Sequence, residues 1–297
     1  MSLRSILSAV ALILCACERA PDSNPVTFTS DRISVATRGE GPDIILVHGL
    51  GAHADVWSAI ADSLDESFRV HVVQMNGFAG IPAAANADGP VAAPVAEELA
   101  RYIREEKLDR PAVIGHSMGG TIAMMLAARH PEVPGKIMVL DIPPNMGAIM
   151  APPGTSPDSI RALGDQLRAG FLQTPVDSPT VLEQMAPTMT RSDSAASVLV
   201  RYARASHRPT LGNGMHELIV TDLRPELSRI TVPLVVLYVQ PVGVPVSAEQ
   251  MDSGMRDSYA NASQARLVRI DDSNHYIMID QPGRVVAEIR SLMASRP

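Results

Sequence analysis

Residues 115–120 read Gly-His-Ser-Met-Gly-Gly, and their flanks restrict the fold more than any other stretch of the chain. On one side, Arg110-Pro-Ala-Val-Ile-Gly115 is a short β-type run opened by a proline. On the other, Thr121-Ile-Ala-Met-Met-Leu-Ala-Ala-Arg-His130 consists mostly of helix formers and stops at Pro131. A G-x-S-x-G between a strand and a helix makes a sharp turn that lifts one serine above the end of a sheet. Such a turn is strained and crowded, so positions 115 and 119 leave no room for a side chain. Ser117 therefore reads as a nucleophile.

Strands and helices alternate from about residue 26, which predicts an α/β fold with a mostly parallel sheet and helices on both faces. Residues 26–37 can form an opening hairpin, and Asp43-Ile-Ile-Leu-Val47 is a buried strand ending at His48-Gly49-Leu50-Gly51. A helix over 55–64, a strand over 68–73 and a helix over 95–106 follow, and Lys136-Ile-Met-Val-Leu140 is a strand ending at Asp141. From 142 to 220 the rhythm breaks. Pro143, Pro144, Pro152 and Pro153 punctuate amphipathic helical stretches with no strand among them, the pattern of a helical cap over the sheet's C-terminal edge. Alternation resumes at Pro233–Val239, with a helix from about Ser247, a strand over Ala265–Ile270 and a last helix from about Pro282. Ser247 and Gln250 have the spacing of a capping box.

The chain's 297 residues suffice for one large domain, taken as 28–297 with the cap inserted. A net charge of −7, with no Lys/Arg cluster, argues against a nucleic-acid partner. Residues 1–17 read as an export signal: Arg4 precedes the apolar run Ile6–Leu14, which is too short to span a bilayer as a permanent helix. Both cysteines lie here, and Leu14-Cys15-Ala16-Cys17 resembles a bacterial lipobox with Cys17 as the lipid acceptor. That reading implies a membrane-anchored lipoprotein of the cell envelope, with residues 18–27 as a tether. An ordinary secretory signal cleaved nearby, giving a periplasmic or secreted product, is the alternative.

Three signals occur in the order found in α/β-hydrolases: His48-Gly49-Leu50-Gly51 after an early strand, Gly115-His-Ser-Met-Gly119, and His275 shortly after the last strand. On these residues nearly everything after the tether resembles that superfamily, in its capped, serine esterase and lipase-like form. The resemblance implies an eight-stranded, mostly parallel sheet. It also implies an oxyanion hole made by the backbone amides of Leu50 and Met118. Epoxide hydrolases and haloalkane dehalogenases carry an aspartate at the elbow, so Ser117 argues against both.

The chemistry needs this set. A serine hydroxyl attacks an ester only when a neutral imidazole takes its proton, and His275 is the expected base. His48 and His116 are read as structural or substrate-lining. His53, His71, His130, His207 and His216 are read as ordinary surface or core histidines. The third member of the triad stays open. The family usually places an aspartate a few residues beyond the strand at 232–239, but Gln240-Pro-Val-Gly-Val-Pro-Val246 holds no carboxylate. Asp141 is the candidate, against the reading that it merely begins the cap hinge. Glu249 and Asp252 fall on the first turns of a helix, and Asp271 and Asp272 stand further back. The resemblance also implies D-x-R-G-x-G, which many members carry, after the strand at 68–73, where this chain has Gln74-Met-Asn-Gly-Phe-Ala-Gly80.

Met146, Met150, Met185, Met189 and Met215 lie in the cap, and over an active site they would suit a small-molecule ester with an apolar acyl group. No motif calls for a metal, and no G-x-G-x-x-G or P-loop calls for a nucleotide, so no cofactor is implied. The expectation is a serine hydrolase cleaving carboxylic esters through an acyl-enzyme on Ser117. Alternatives are a carbon–carbon bond hydrolase or cofactor-free perhydrolase on the same triad, and a non-catalytic binding protein on a degenerate scaffold.

Overall fold

The computed structural model describes residues 28–152, 154–175, 177–240 and 246–295. The export signal, Cys17 and the tether lie outside these residues. In chain order the first half runs β1 (Ile33–Arg38), β2 (Asp43–Val47), α1 (Ser58–Leu64), β3 (Arg69–Met75), α2 (Ala92–Glu105), β4 (Ala112–His116), α3 (Met118–Arg129) and β5 (Lys136–Leu140). Among the described residues five α-helices follow before the next strand: α4 (Met146–Met150), α5 (Pro157–Gln173), α6 (Val181–Met189), α7 (Asp193–Ala205) and α8 (Arg208–Val220). The chain then closes with β6 (Leu234–Tyr238), α9 (Ala248–Ser258), β7 (Ala265–Arg269), α10 (Ile277–Asp280) and α11 (Pro282–Ala294).

The strands form one sheet in the order β1-β3-β2-β4-β5-β6-β7. Among the described residues only β1 is antiparallel, and it pairs with β3. Both faces are covered, so the central strands β2 and β4 are buried at every position rather than alternately. Their side chains still divide by the two-residue period of a strand. Ile45, Val47, Val113 and Val139 join the core shared with α2 and α3, whereas Ile44, Leu46, Ile114 and Leu140 face α1 and α11.

This is the α/β-hydrolase architecture that the resemblance implies, with two differences near its start. The sheet has seven strands among the described residues, not eight. No hairpin forms over 28–37, because those described residues supply one strand, β1, and it pairs with β3. Gly39 and Gly41, at φ +74 and +118, carry the chain from β1 to β2 under the α1–β3 connection. A β-carbon on Gly39 would collide with the carbonyls of Asp65 and Phe68, so this turn packs directly against the α1–β3 connection and leaves no room for a side chain. Residues 55–64 also divide, into a 3-10 turn over Ala54–Trp57 followed by α1. The capping box of Ser247 and Gln250 is present at the head of α9.

A buried carboxylate fastens the helical insertion to the core. Glu217 of α8 accepts the backbone N–H groups of Val91, Ala92 and Ala93 at 2.6, 2.6 and 2.8 Å, satisfying donors that the first turn of α2 leaves open. Nothing in the sequence singles out this glutamate, since a lone acid in a helical stretch reads as a solvated face.

Candidate active site

Ser117 stands between β4 and α3 with φ 52° and ψ −120°, a conformation that non-glycine residues rarely adopt. Its neighbours make that turn possible. A β-carbon on Gly115 would overlap the backbone of Gly119, and one on Gly119 would overlap the carbonyl of Val47. The Ser117 N–H donates to the Leu140 carbonyl at 2.8 Å, which ties the elbow to the end of β5.

Asp141 follows directly on that strand end, also in a left-handed conformation at φ 54°. Its N–H donates to Leu237, and its Oδ1 accepts the Val239 N–H at 3.1 Å, so β6 holds it on both counts. Its other oxygen, Oδ2, lies 2.7 Å from His275 Nδ1. A carboxylate only accepts, so Nδ1 carries a proton, and in the neutral imidazole Nε2 then holds the lone pair. Nε2 has no partner among the described residues. The pair is only partly exposed, with 18% of the Asp141 side chain and 26% of the His275 side chain open to solvent.

Of the other carboxylates named above, Asp272 offers only its backbone carbonyl among the described residues, to Gln281 Nε2, and the rest are engaged elsewhere. Asp252 accepts from Tyr238 Oη at 2.8 Å and pairs with Arg269, and Asp271 is an exposed partner of the same arginine. Glu249 accepts from Ser247 Oγ at the head of α9. None of them meets His275. Burial, followed by the hydrogen bond to Asp252, pushes the Tyr238 hydroxyl up to about 12, so this cavity-lining phenol stays protonated.

His116 and His48 are buried beside these groups and hold backbone in place. Nε2–H of His116 donates to the His275 carbonyl at 3.0 Å, and its ring lies 4.5 Å from the His275 ring, centre to centre. Burial, and then the proximity of His275, hold its pKa well below 6.5. A neutral neighbour of this kind does not repel charge on His275. Nδ1–H of His48 donates to the Gly49 carbonyl at 2.8 Å, and its Nε2 accepts the Met75 N–H at 3.0 Å. Burial lowers His48 from 6.5 to about 4. The Gly49 carbonyl shares a rigid peptide plane with the Leu50 N–H, so His48 also orients that amide.

The Leu50 N–H has no acceptor among the described residues, and Met118 opens α3, where N–H groups lack intrahelical acceptors. The two loops pass close together, since a β-carbon on Gly49 would lie 3.0 Å from Ser117 Cβ. α8 packs over both residues. A β-carbon on its Gly214 would sit 2.7 Å from Leu50 Cδ1 and 3.3 Å from Met118 Sδ.

Ser117, Asp141 and His275 line one cavity of about 440 Å³. Much of its remaining wall is apolar and comes from the helices between β5 and β6, through Met146, Met150, Met185, Met189 and Met215, with Met251 and Met255 of α9 completing it. Ile149, Met150 and Met185 line the cavity while remaining 61%, 48% and 44% exposed, so they form its mouth. The remaining histidines lie elsewhere: His71 between Asp43 and Tyr102, His130 on Glu97, His216 on Asp165, His53 on Asp55 and His207 on Thr210. Gln74 uses its side chain locally, accepting the Ala54 N–H and donating to the Met75 carbonyl. Among the described residues, no group of three or more His, Cys, Asp or Glu side chains is placed to hold a metal ion.

A family model described as "Alpha/beta hydrolase family" matches residues 44–289. The pimeloyl-[acyl-carrier protein] methyl ester esterase of Vibrio atlanticus is 32% identical over 213 residues, covering 70% of this chain and 80% of that protein. The enzyme of the same name from Aliivibrio fischeri is 25% identical, over 86% of this chain and 95% of its own length. Among solved structures, the enol-lactonase of Burkholderia xenovorans superposes with a TM-score of 0.71 at 17% identity, covering 89% of this chain and 96% of that one. A thermophilic esterase from Thermogutta terrifontis gives 0.70 at 20% identity, covering 88% and 92%.

Proposed function

Because the chain belongs to the α/β-hydrolase family and is an enzyme of that family, we propose that it cleaves carboxylic esters through an acyl-enzyme on Ser117. The observation that carries this reading is the 2.7 Å contact of His275 Nδ1 with Asp141, on the wall of the cavity that also holds Ser117. In this reading His275 Nε2 takes the Ser117 proton as the hydroxyl attacks the ester carbonyl, and returns it to the departing alcohol. Asp141 holds the productive tautomer and stabilises the imidazolium as it forms. The amides of Leu50 and Met118 receive the oxyanion. Water then repeats the sequence on the acyl-enzyme, releasing the acid and restoring Ser117.

The methionine-lined cavity is read as the acyl site, with an exposed apolar mouth through which a small-molecule ester enters. The relatives' names support an ester as the bond cleaved, and the substrate class proposed here is broader: esters with an apolar acyl group. The His–Asp pair weighs against a non-catalytic binding protein, which has no use for an imidazole held in one tautomer. Hydrolysis of a p-nitrophenyl ester series tests the reading. Turnover is expected, with loss in Ser117→Ala to the no-enzyme rate, and turnover surviving that substitution refutes it.

Export to the cell envelope with a lipid on Cys17 is proposed on the sequence of residues 1–17 alone. Mass spectrometry of the mature N-terminus tests it. An acylated Cys17 is expected, and an unmodified terminus elsewhere overturns it.

A further inference from the structure

One carboxylate joins the loop bearing His275 to the wall of the acyl cavity. Asp280 ends α10, and its Oδ2 accepts the Asn274 N–H at 2.8 Å. Its Oδ1 accepts Thr190 Oγ1 at 2.6 Å and the Arg191 N–H at 2.9 Å, both at the end of α6. Two more bonds cross the same seam. Asn274 Nδ2 donates to the Thr188 carbonyl at 3.0 Å, and the Tyr276 N–H donates to the Met189 carbonyl at 2.9 Å. Met185, Thr188 and Met189 of α6 line the cavity, whereas the opposite side of the loop is held from the core by His116.

The base is thus suspended between a fixed sheet and a helix that meets the acyl group. Hydrogen bonds to an ionised carboxylate are the stronger kind, and Asp280 places one oxygen on each side of the seam. A shift of α6 therefore reaches residue 274 directly. Displacements of about 1 Å at a reacting group are enough to change rates about a hundredfold.

We propose that Asp280 is a positioning residue that couples occupancy of the acyl cavity to the placement of His275. The proposal rests on the esterase reading above. A filled cavity seats α6, and Asp280 passes that seating to the base. Acyl length then changes kcat, and not KM alone.

The test compares kcat and KM for p-nitrophenyl acetate and p-nitrophenyl octanoate in wild type, Asp280→Asn and Thr190→Val, with urea midpoints recorded beside them. Asparagine keeps the shape but turns an N–H₂ towards one set of donors, so one side of the seam loses its acceptor. Wild type is expected to show a higher kcat for octanoate than for acetate. In Asp280→Asn the octanoate kcat falls about tenfold further than the acetate kcat, while octanoate KM changes little. Thr190→Val removes the hydroxyl bond to Asp280, together with the 3.2 Å bond that the hydroxyl accepts from the Ser192 N–H, but leaves the Arg191 and Asn274 bonds to Asp280; it moves the ratio the same way by less, so it serves if Asp280→Asn folds poorly. Parallel losses for both esters, or a wild-type kcat indifferent to acyl length, overturn the coupling while leaving the esterase reading intact. Failure of wild type to cleave either ester overturns both.

Discussion

Asp141→Asn isolates the contribution of the carboxylate to the proposed chemistry. Asparagine tolerates positive φ better than most residues, so the backbone at φ 54° is kept. Its amide offers one acceptor where Asp141 offers two. The Val239 N–H, at 3.1 Å, claims the oxygen, and the N–H₂ then faces His275 Nδ1. Nδ1 must accept, the ring proton moves to Nε2, and the lone pair that would receive the Ser117 proton is gone. In a serine protease the equivalent change lowers kcat about 10⁴-fold, which corresponds to about 5 kcal/mol of transition-state stabilisation. Here the expected loss in kcat/KM for p-nitrophenyl butyrate is about 10³–10⁴-fold, with a urea midpoint close to that of wild type. A kcat/KM within about tenfold of wild type, alongside an inactive Ser117→Ala, would show that the tautomer argument is wrong.

Gly119→Ala is expected to abolish activity and to lower stability by about 2 kcal/mol or more, since its β-carbon would occupy the place of the Val47 carbonyl. Urea unfolding beside an ester assay checks this, and an active, stable variant contradicts it. The lowered pKa of His48 makes stability depend on pH. The unfolded imidazole binds its proton near 6.5 and the folded one near 4, so this contribution is complete above about 6.5 and is lost as pH falls towards 4. Its slope approaches about 1.4 kcal/mol per pH unit inside that window. His48→Gln is expected to flatten the fall of the unfolding free energy between pH 7 and 5, and an unchanged slope excludes the mechanism.

Much of the fold was legible because burial on both faces leaves a plain signature. The apolar runs at 43–47 and 136–140 admit little besides buried strands, and the glycines at 115 and 119 mark the elbow by the side chains they lack. The box of Ser247 and Gln250 is equally local, because a cap forms between neighbours. Strand pairing is not local. The pairing of β1 with β3 joins segments separated in the chain by a strand and a helix.

The same boundary runs through the site. Ser117 and His275 sit in motifs, whereas the meeting of Asp141 with His275 depends on two loops brought together by the order β4-β5-β6-β7. Sequence left Asp141 balanced between triad and hinge for that reason. Glu217 and Asp280 carried no signal at all. Each is a single acid in a helix, and its meaning lies in N–H groups supplied by distant segments.

The central claim is that Ser117 is a nucleophile activated by His275. Exposure to a fluorophosphonate followed by peptide mass mapping tests it most directly. The account predicts a single phosphonyl adduct on the peptide carrying Ser117, absent in Ser117→Ala and formed far more slowly in His275→Ala. A wild-type Ser117 that stays unlabelled, or labelling that is indifferent to His275, would contradict it.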